Sequence, residues 1–385
     1  MPELTVIKGK LVTPHGVIPR GRVVVEGGKI TRVGPDDGGA RGRVLDFREG
    51  IVAPGFIDLH IHGGGGYDVM DASADCLNRL SLFLAAGGVT SFLATTYTAP
   101  QDEILAAARA VRGAAEKGVE GAEVVGLHLE GPYINPKYRG SQSASYIRRP
   151  NVEELEEVYR EAGVALKIVT LAPEVDGALE AVAWLSSKGV VPSAGHTDAT
   201  YGEMMAAVES GLRHVAHLFN GMRPFHHREP GVVGAALVDP RVCVELIADG
   251  FHLHPASLSI AARLKGAQRT ALVSDSIPPA GLPDGDYSLG DERVHVLNGR
   301  CLLESGAPAG SAIRLSDAVM EAVGRAGLPI AEAVEMASTT PAWVAGLADR
   351  KGRLESGMDA DLVVLDSGLK VLMTMVGGRV VYERR

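Results

Sequence analysis

The sequence predicts an eight-stranded (β/α)8 barrel of the TIM type, with a small β domain assembled from both ends of the chain. Three observations carry this reading. From residue 51 onward, short apolar β-branched runs alternate with helical patterns of ten or more residues, and such alternation implies a parallel sheet. There are eight such units within about 230 residues, and eight is the number that closes a barrel, whereas a doubly wound sheet more often has about five to seven strands and a Gly-rich first turn. The two ends of the chain have a different texture, strand-rich and punctuated by Gly, Pro and Asp.

The first strands are LTVIKGKLVT, GRVVVEGGKITRVG and ARGRVLDF. The barrel strands are expected at 51–62, 89–97, 123–131, 165–173, 190–196, 214–220, 242–250 and 270–276, with helices between them such as 75–87, 100–118, 151–163 and 177–189. Two further helices are expected at 314–327 and 329–346, and the tail returns to strands in DLVVLD, KVLMTMVGG and RVVYERR. The expected division is therefore a β domain from 1–50 and 345–385, and a barrel from 51–344.

Composition excludes several classes of function. With 46% hydrophobic and 22% charged residues the chain is an ordinary globular one, not a disordered one. The net charge of −9 is the reverse of what a nucleic-acid binder carries, so an anionic ligand has to be held by a local cluster. Cys76, Cys243 and Cys301 form no CxxC pair and read as buried, inert thiols in a reducing compartment. No apolar run approaches the roughly 18 residues that span a bilayer, and the N-terminus lacks a signal-peptide pattern. The expected location is the cytoplasm, with no membrane partner.

The polar residues that interrupt the apolar strands share one position, the C-terminal end. They are His60 and His62, Glu130, His196, His217 and Asp275. In a barrel those ends converge on one mouth, where active sites are built. His60 and His62 are two apart, so on a strand both rings face the same way. With His196, His217 and a carboxylate they offer N and O ligands with a position to spare, the donor set of a catalytic zinc or iron site. Glu130, in GLHLEGPYIN, would be costly to bury unpaired and reads as a metal ligand, possible to share between two ions. His128 on the same face reads as a neutral core histidine. Asp275, in TALVSDSIPPAG, is placed to take a proton from an activated water and return it to a leaving group. Asp286 and Asp291 read as solvated loop charge.

A second cluster lies in HLFNGMRPFHHREPG, a loop because Pro224 and Pro230 break regular structure. Arg228, with main-chain N–H groups around Asn220 and Gly221, reads as an anion site, to which His252 can add. There is no GxSxG elbow and no GxxxxGK[ST] phosphate loop.

PGFIDLHIHG, GLHLEGPYINP, AGHTDA, HLFNGMRPFHHREPG, ADGFHLHP and VSDS together resemble the N-acetylglucosamine-6-phosphate deacetylases of the amidohydrolase superfamily, over nearly the whole chain. PGFIDxHxH alone would point only to the superfamily; LHLEGP with HLFNGMRPFHHREPG points to the sugar-phosphate deacetylases. The resemblance implies a distorted barrel with a small β-sandwich from both termini, a homodimer, and one or two divalent metal ions, zinc first, with iron, cobalt or manganese as alternatives. It implies Glu130, His196 and His217 as metal ligands and Asp275 as the catalytic acid/base. It implies Arg228 and the Asn220–Gly221–Met222 backbone as the phosphate loop, and His252 as a contact supplied by the neighbouring subunit. Some members lack the His-x-His pair and hold one metal; this chain keeps His60 and His62. Other members carry a His where this chain has Gln142, which can donate a hydrogen bond to the substrate but carries no charge.

The expected reaction is hydrolysis of the acetamide of N-acetyl-D-glucosamine 6-phosphate to D-glucosamine 6-phosphate and acetate. The alternatives are an N-acetylgalactosamine-6-phosphate deacetylase or another amidohydrolase acting on a cyclic amide. More remote is a non-catalytic barrel used as a binding module.

Overall fold

The computed structural model describes residues 4–38 and 42–384. Four strands open the chain: β1 (Thr5–Thr13), β2 (Gly16–Glu26), β3 (Lys29–Pro35) and β4 (Arg43–Pro54). Eight barrel strands follow. These are β5 (Phe56–Ile61), β6 (Val89–Thr96), β7 (Glu123–Glu130), β8 (Leu166–Leu171), β9 (Val191–Ala194), β10 (His214–Val215), β11 (Cys243–Ile247) and β12 (Thr270–Val273). They pair in chain order, all parallel.

The ring closes at a seam between β12 and β5 that is held by loop backbone. His62 N–H donates to Ser276 O at 2.9 Å and Asp275 N–H to His60 O at 2.9 Å. Buried Asp58 accepts from Ser274 N–H at 3.2 Å through the oxygen that also faces His60 N–H. Its desolvation pushes its pKa up to about 7 even though these donors oppose the rise.

The helices between the strands follow their patterning. Val152–Ala162 buries Leu155, Val158 and Ala162 on one face and starts at Asn151, whose side chain accepts the Glu153 and Glu154 N–H groups. Thr200 and Glu203 form a capping box on Tyr201–Glu209. The stretch 329–346, read as one helix, is two: Ile330–Ala337 and Thr339–Val344. Pro341 can only sit in a first turn, so the chain breaks at Ser338, whose hydroxyl bonds back to Val334 O at 2.6 Å.

After β12 comes a three-stranded antiparallel insert: β13 (Gly285–Leu289), β14 (Glu292–Leu297) and β15 (Arg300–Leu303). It has its own apolar cluster, including Leu289, Val294, Val296 and Cys301. The tail strands β16 (Leu362–Leu365), β17 (Val371–Val376) and β18 (Arg379–Glu383) join the first four in a seven-stranded mixed sheet, ordered β18-β17-β16-β4-β1-β2-β3. That sheet runs four residues past position 50, to Pro54, and carries a separate core of Ile7, Leu11, Val52, Leu362 and Met375. All three cysteines are buried and free. Among the described residues no helix is long and apolar enough to cross a membrane.

Candidate active site

His60 near the end of β5 and His62 just beyond it both turn toward Glu130, the last residue of β7. The other three residues expected at strand ends lie beyond them. His196, His217 and Asp275 each come two residues after a strand, with φ of 48°, 30° and 48°. A non-glycine residue in this left-handed region is strained by about 1–3 kcal/mol and persists only where its surroundings hold it. The holding bonds are Asn135 N–H to His196 O and Asp275 N–H to His60 O, both 2.9 Å, and Asn220 N–H to His217 O at 2.9 Å. The turn brings each side chain back over the barrel axis.

There the side chains meet. Glu130 Oε1 lies 2.9 Å from His217 Nε2 and 3.2 Å from the Nε2 atoms of His196 and His60, while Oε2 lies 3.3 Å from His62 Nε2. Asp275 Oδ1 stands 3.3 Å from His62 Nε2 and 3.5 Å from His60 Nε2. All six residues are buried. Burial alone would raise the pKa of Glu130, but the imidazoles of His60 and His196 overcome it and hold the carboxyl well below its usual range. Asp275 is likewise buried yet held below its ordinary value, by His60 and His62. Both carboxyls are therefore anionic at neutral pH, and the cluster demands positive charge at its centre.

The donor chemistry fits a divalent metal ion. His60 Nδ1 faces Glu245 Oε2 at 2.8 Å, His196 Nδ1 faces Tyr138 O at 2.8 Å, and His217 Nδ1 faces Asn220 O at 3.1 Å. Each acceptor puts a proton on Nδ1 and turns Nε2 inward, the orientation outer partners impose on metal-binding histidines. His196 Nε2 and His217 Nε2 stand only 3.2 Å apart, and His60 Nε2 is buried without a hydrogen bond. Among the described residues three sets of donors share His60, each with its atoms within 4.8 Å of one another: one with Glu130 and His217, one with His62 and Asp275, and one with His128 and Glu245. His128 stands outside the ring around Glu130: it bonds Leu59 O and Thr170 Oγ1, and burial pushes its pKa down to about 3.

A cavity of about 390 Å³ opens over the cluster, within the size range of small-ligand sites. His62, Glu130, His196, His217 and Asp275 line its floor, and Gln142, Asn220, Gly221 and His252 line its walls. Gln142 reaches Glu130 directly: its Nε2 donates to Glu130 Oε2 at 2.6 Å, which uses one of the two hydrogens on that nitrogen. The single chain places two of the expected substrate contacts as follows. His252 was expected from a neighbouring subunit but lies in its own chain's cavity, oriented by Asp249 Oδ2 at 2.6 Å from Nδ1. Arg228, expected as the anion anchor, does not line its own chain's cavity; it is exposed on its loop, with Nη1 2.8 Å from His227 Nε2. Met222 is buried in the barrel core, where its sulfur accepts the Phe219 N–H.

Sequence reasoning missed several residues. Lys137 and Tyr97 line the cavity. So do Asp291 and Glu292 of the β13–β14 turn, with Asp291 read earlier as solvated charge. Arg139 pairs with Glu292 at 2.9 Å across this rim. Glu245, fully buried behind His60, gave the same signal as Glu130, an acid in the otherwise apolar run VCVELI.

Residues 51–381 match the Amidohydrolase family. The chain is 41% identical over 360 residues to an N-acetylglucosamine-6-phosphate deacetylase of Vibrio furnissii, with 94% of this chain and 90% of that protein covered. It is 40% identical over 329 residues to an N-acetylgalactosamine-6-phosphate deacetylase of Escherichia coli O157:H7, covering 86% and 87%. Among solved structures it is similar to an N-acetyl-D-glucosamine-6-phosphate deacetylase of Mycobacterium smegmatis in complex with N-acetyl-D-glucosamine 6-phosphate. That match has a TM-score of 0.93 at 32% identity and covers 98% and 99% of the two chains.

Proposed function

The chain belongs to the amidohydrolase family, and from that premise we propose that it hydrolyses N-acetyl-D-glucosamine 6-phosphate to D-glucosamine 6-phosphate and acetate. The observation that carries the reading is the Glu130 carboxylate, ringed by four imidazole nitrogens with Asp275 opposite, under a cavity of sugar-phosphate size.

His60, His62, Glu130, His196, His217 and Asp275 would hold one or two divalent ions. Zinc suits this N/O set best, with iron, cobalt and manganese as alternatives. A bound ion at such a cluster supplies Lewis acidity, polarising the acetyl carbonyl and bringing the pKa of a water toward neutrality. The chain's own residues do the rest. Asp275, held ionised, takes the proton as water attacks the acetyl carbon. It then delivers that proton to the amide nitrogen, so that the C–N bond breaks with a neutral amine leaving. Gln142 keeps Glu130 in place. Asn220, Gly221, His252 and Lys137 are the groups toward which the 6-phosphate would lie, and binding at this unreactive end orients the amide.

Arg228 lies outside its own cavity, so a phosphate contact from it would need a second copy of the chain, in keeping with a homodimer. A second reading, the galactosamine epimer, is supported by the 40% identity to the Escherichia coli enzyme. A cyclic amide as substrate is not favoured, because the bridging position is Glu130 and the cavity's lysine, Lys137, is engaged by Asp198 at 2.8 Å. The test is acetate release from both N-acetylhexosamine 6-phosphates, with metal analysis on the same preparation. Turnover of neither by metal-loaded protein would overturn the proposal.

A further inference from the structure

β11 contributes no side chain to the ring around Glu130, yet it carries a carboxylate at the centre of the barrel. Glu245 is fully buried. Its Oε2 lies 2.8 Å from His60 Nδ1 and accepts the main-chain N–H of His217 at 3.2 Å. Its own carbonyl accepts the Leu218 N–H at 2.9 Å. One residue thus grips two members of the cluster that come from β5 and from the loop after β10. The other groups facing it are His214, whose Nε2 is 3.7 Å from Oε1, and His128, which is bonded elsewhere.

Three points give this grip a purpose. A carboxylate only accepts, so His60 carries a proton on Nδ1, and Nε2 is the nitrogen turned toward Glu130, where a metal ion would take it. His217 has φ of 30° and cannot keep that backbone unaided; beside the Asn220 N–H on its carbonyl, the Glu245 oxygen on its own N–H and the Glu245 carbonyl on the next N–H pin the turn. Taking a carboxylate out of water costs several kcal/mol, and an apolar side chain would fill the same place in a packed core without that cost.

We infer that Glu245 is a positioning residue for the metal cluster, fixing the His60 ring and the His217 turn through one carboxylate oxygen. The inference rests on the reading of the Glu130 cluster as a metal site.

The experiment uses the full chain stripped of metal, with Zn2+ affinity and stoichiometry measured by competition against a chromophoric chelator. Melting of the metal-free protein is recorded beside it. Glu245→Leu removes the acceptor at similar volume, and Glu245→Gln keeps one acceptor oxygen. Removing an outer partner of a metal-binding histidine weakens affinity by roughly 10- to 100-fold; Leu is expected at the upper end and Gln between it and the unmodified chain. If the unmodified chain binds no Zn2+, the metal reading itself fails. If it binds and both variants bind within threefold, whatever their melting temperatures, the inference about Glu245 is overturned. Should neither variant fold, 15N-histidine spectra of the unmodified Zn2+-loaded chain decide, with the His60 signal assigned by its loss in His60→Asn. Zn2+ on Nε2 with a proton on Nδ1 supports the inference, and Zn2+ on Nδ1 overturns it.

Discussion

Gln142 is clamped between Thr98 and Glu130. Its Oε1 accepts the Thr98 main-chain N–H at 2.6 Å, and its Nε2 donates to Glu130 Oε2 at 2.6 Å. An amide held at both ends braces the carboxylate and keeps one Nε2 hydrogen for a further partner. Gln142→Ala should therefore lower kcat by roughly 10- to 100-fold, as loss of a partner of a metal-binding carboxylate does, with KM changed little. Gln142→Glu should be worse, since it sets a second carboxylate against Glu130 at hydrogen-bond distance. Steady-state kinetics with metal content measured alongside decide it; a pure KM effect would return Gln142 to substrate binding.

Asp275 combines an anionic carboxyl with a place across the cluster from Glu130, at 3.3 Å from His62. Asparagine keeps its size and an oxygen but cannot take a proton. Asp275→Asn is expected to cut kcat by roughly 10² to 10⁴, the usual worth of a general acid/base, while the protein still takes up metal. Retention of most activity would remove Asp275 from the proton path.

Lys137 is the lysine that lines the cavity, and it is exposed on its rim. An exposed cation is screened by water, so Lys137→Ala should raise KM for the phosphorylated substrate only a few-fold, roughly two- to fivefold, with kcat unchanged. Arg228→Ala should act on the same parameter if a second subunit brings that loop over. An equal loss on the unphosphorylated sugar would exclude both as phosphate contacts. Sedimentation of the Arg228 variant checks that any dimer is intact.

His252 gives a pH dependence with a definite sign. Burial works against its charge, but the Asp249 carboxylate beside Nδ1 outweighs burial and holds its pKa above the ordinary value of 6.5. The protonated ring, which attracts phosphate, is therefore present below that raised pKa and lost as pH climbs through it. The phosphate itself gains its second charge above about pH 6. The affinity for substrate should peak between these two limits and fall on the alkaline side. In His252→Asn the alkaline fall in 1/KM should disappear; a fall that persists belongs to another group.

The barrel was legible because its signal is local and repeated: apolar runs of strand length ending on His62, Glu130 or Asp275 carry both the fold and the direction of the mouth. His60 and His62 were read from period-two alternation together with the other strand-end residues His196, His217 and Glu130. What escaped depends on distance in the chain. The resemblance gave His252 to a partner subunit, while the chain itself sets it in its own cavity through Asp249, three residues before it. Arg228 was read from its loop as an anchor, and whose cavity that exposed loop serves is set by how copies of the chain pack, which one sequence does not spell out. The β13–β15 insert was read as turns because its outer strand is half exposed, with only Leu289 buried in GDYSL, and its small core is shared among three strands. Glu245 was written in the sequence as plainly as Glu130, but its meaning lies in a contact with a residue 185 positions away.

The join between the barrel and the terminal sheet has a charged pin whose removal should be felt in stability and not in chemistry. Lys351 is only 2% exposed; its Nζ lies 2.7 Å from Glu123 at the start of β7, 3.5 Å from Asp359, and in a very short contact with Asp361 just before β16. Asp361 is itself buried, and Gly377 N–H reaches it from the β17–β18 turn. Lys351→Met would leave that carboxylate without its cation in a low-dielectric site, a loss of about 3–5 kcal/mol. Adding Asp361→Leu should recover much of the loss, because a buried pair replaced as a whole by apolar side chains is often neutral or better. Denaturant unfolding of the two variants and the unmodified chain measures this, with kcat and KM of the folded enzymes expected to stay unchanged. Additive losses in the double variant would mean that the two residues do not act as a pair.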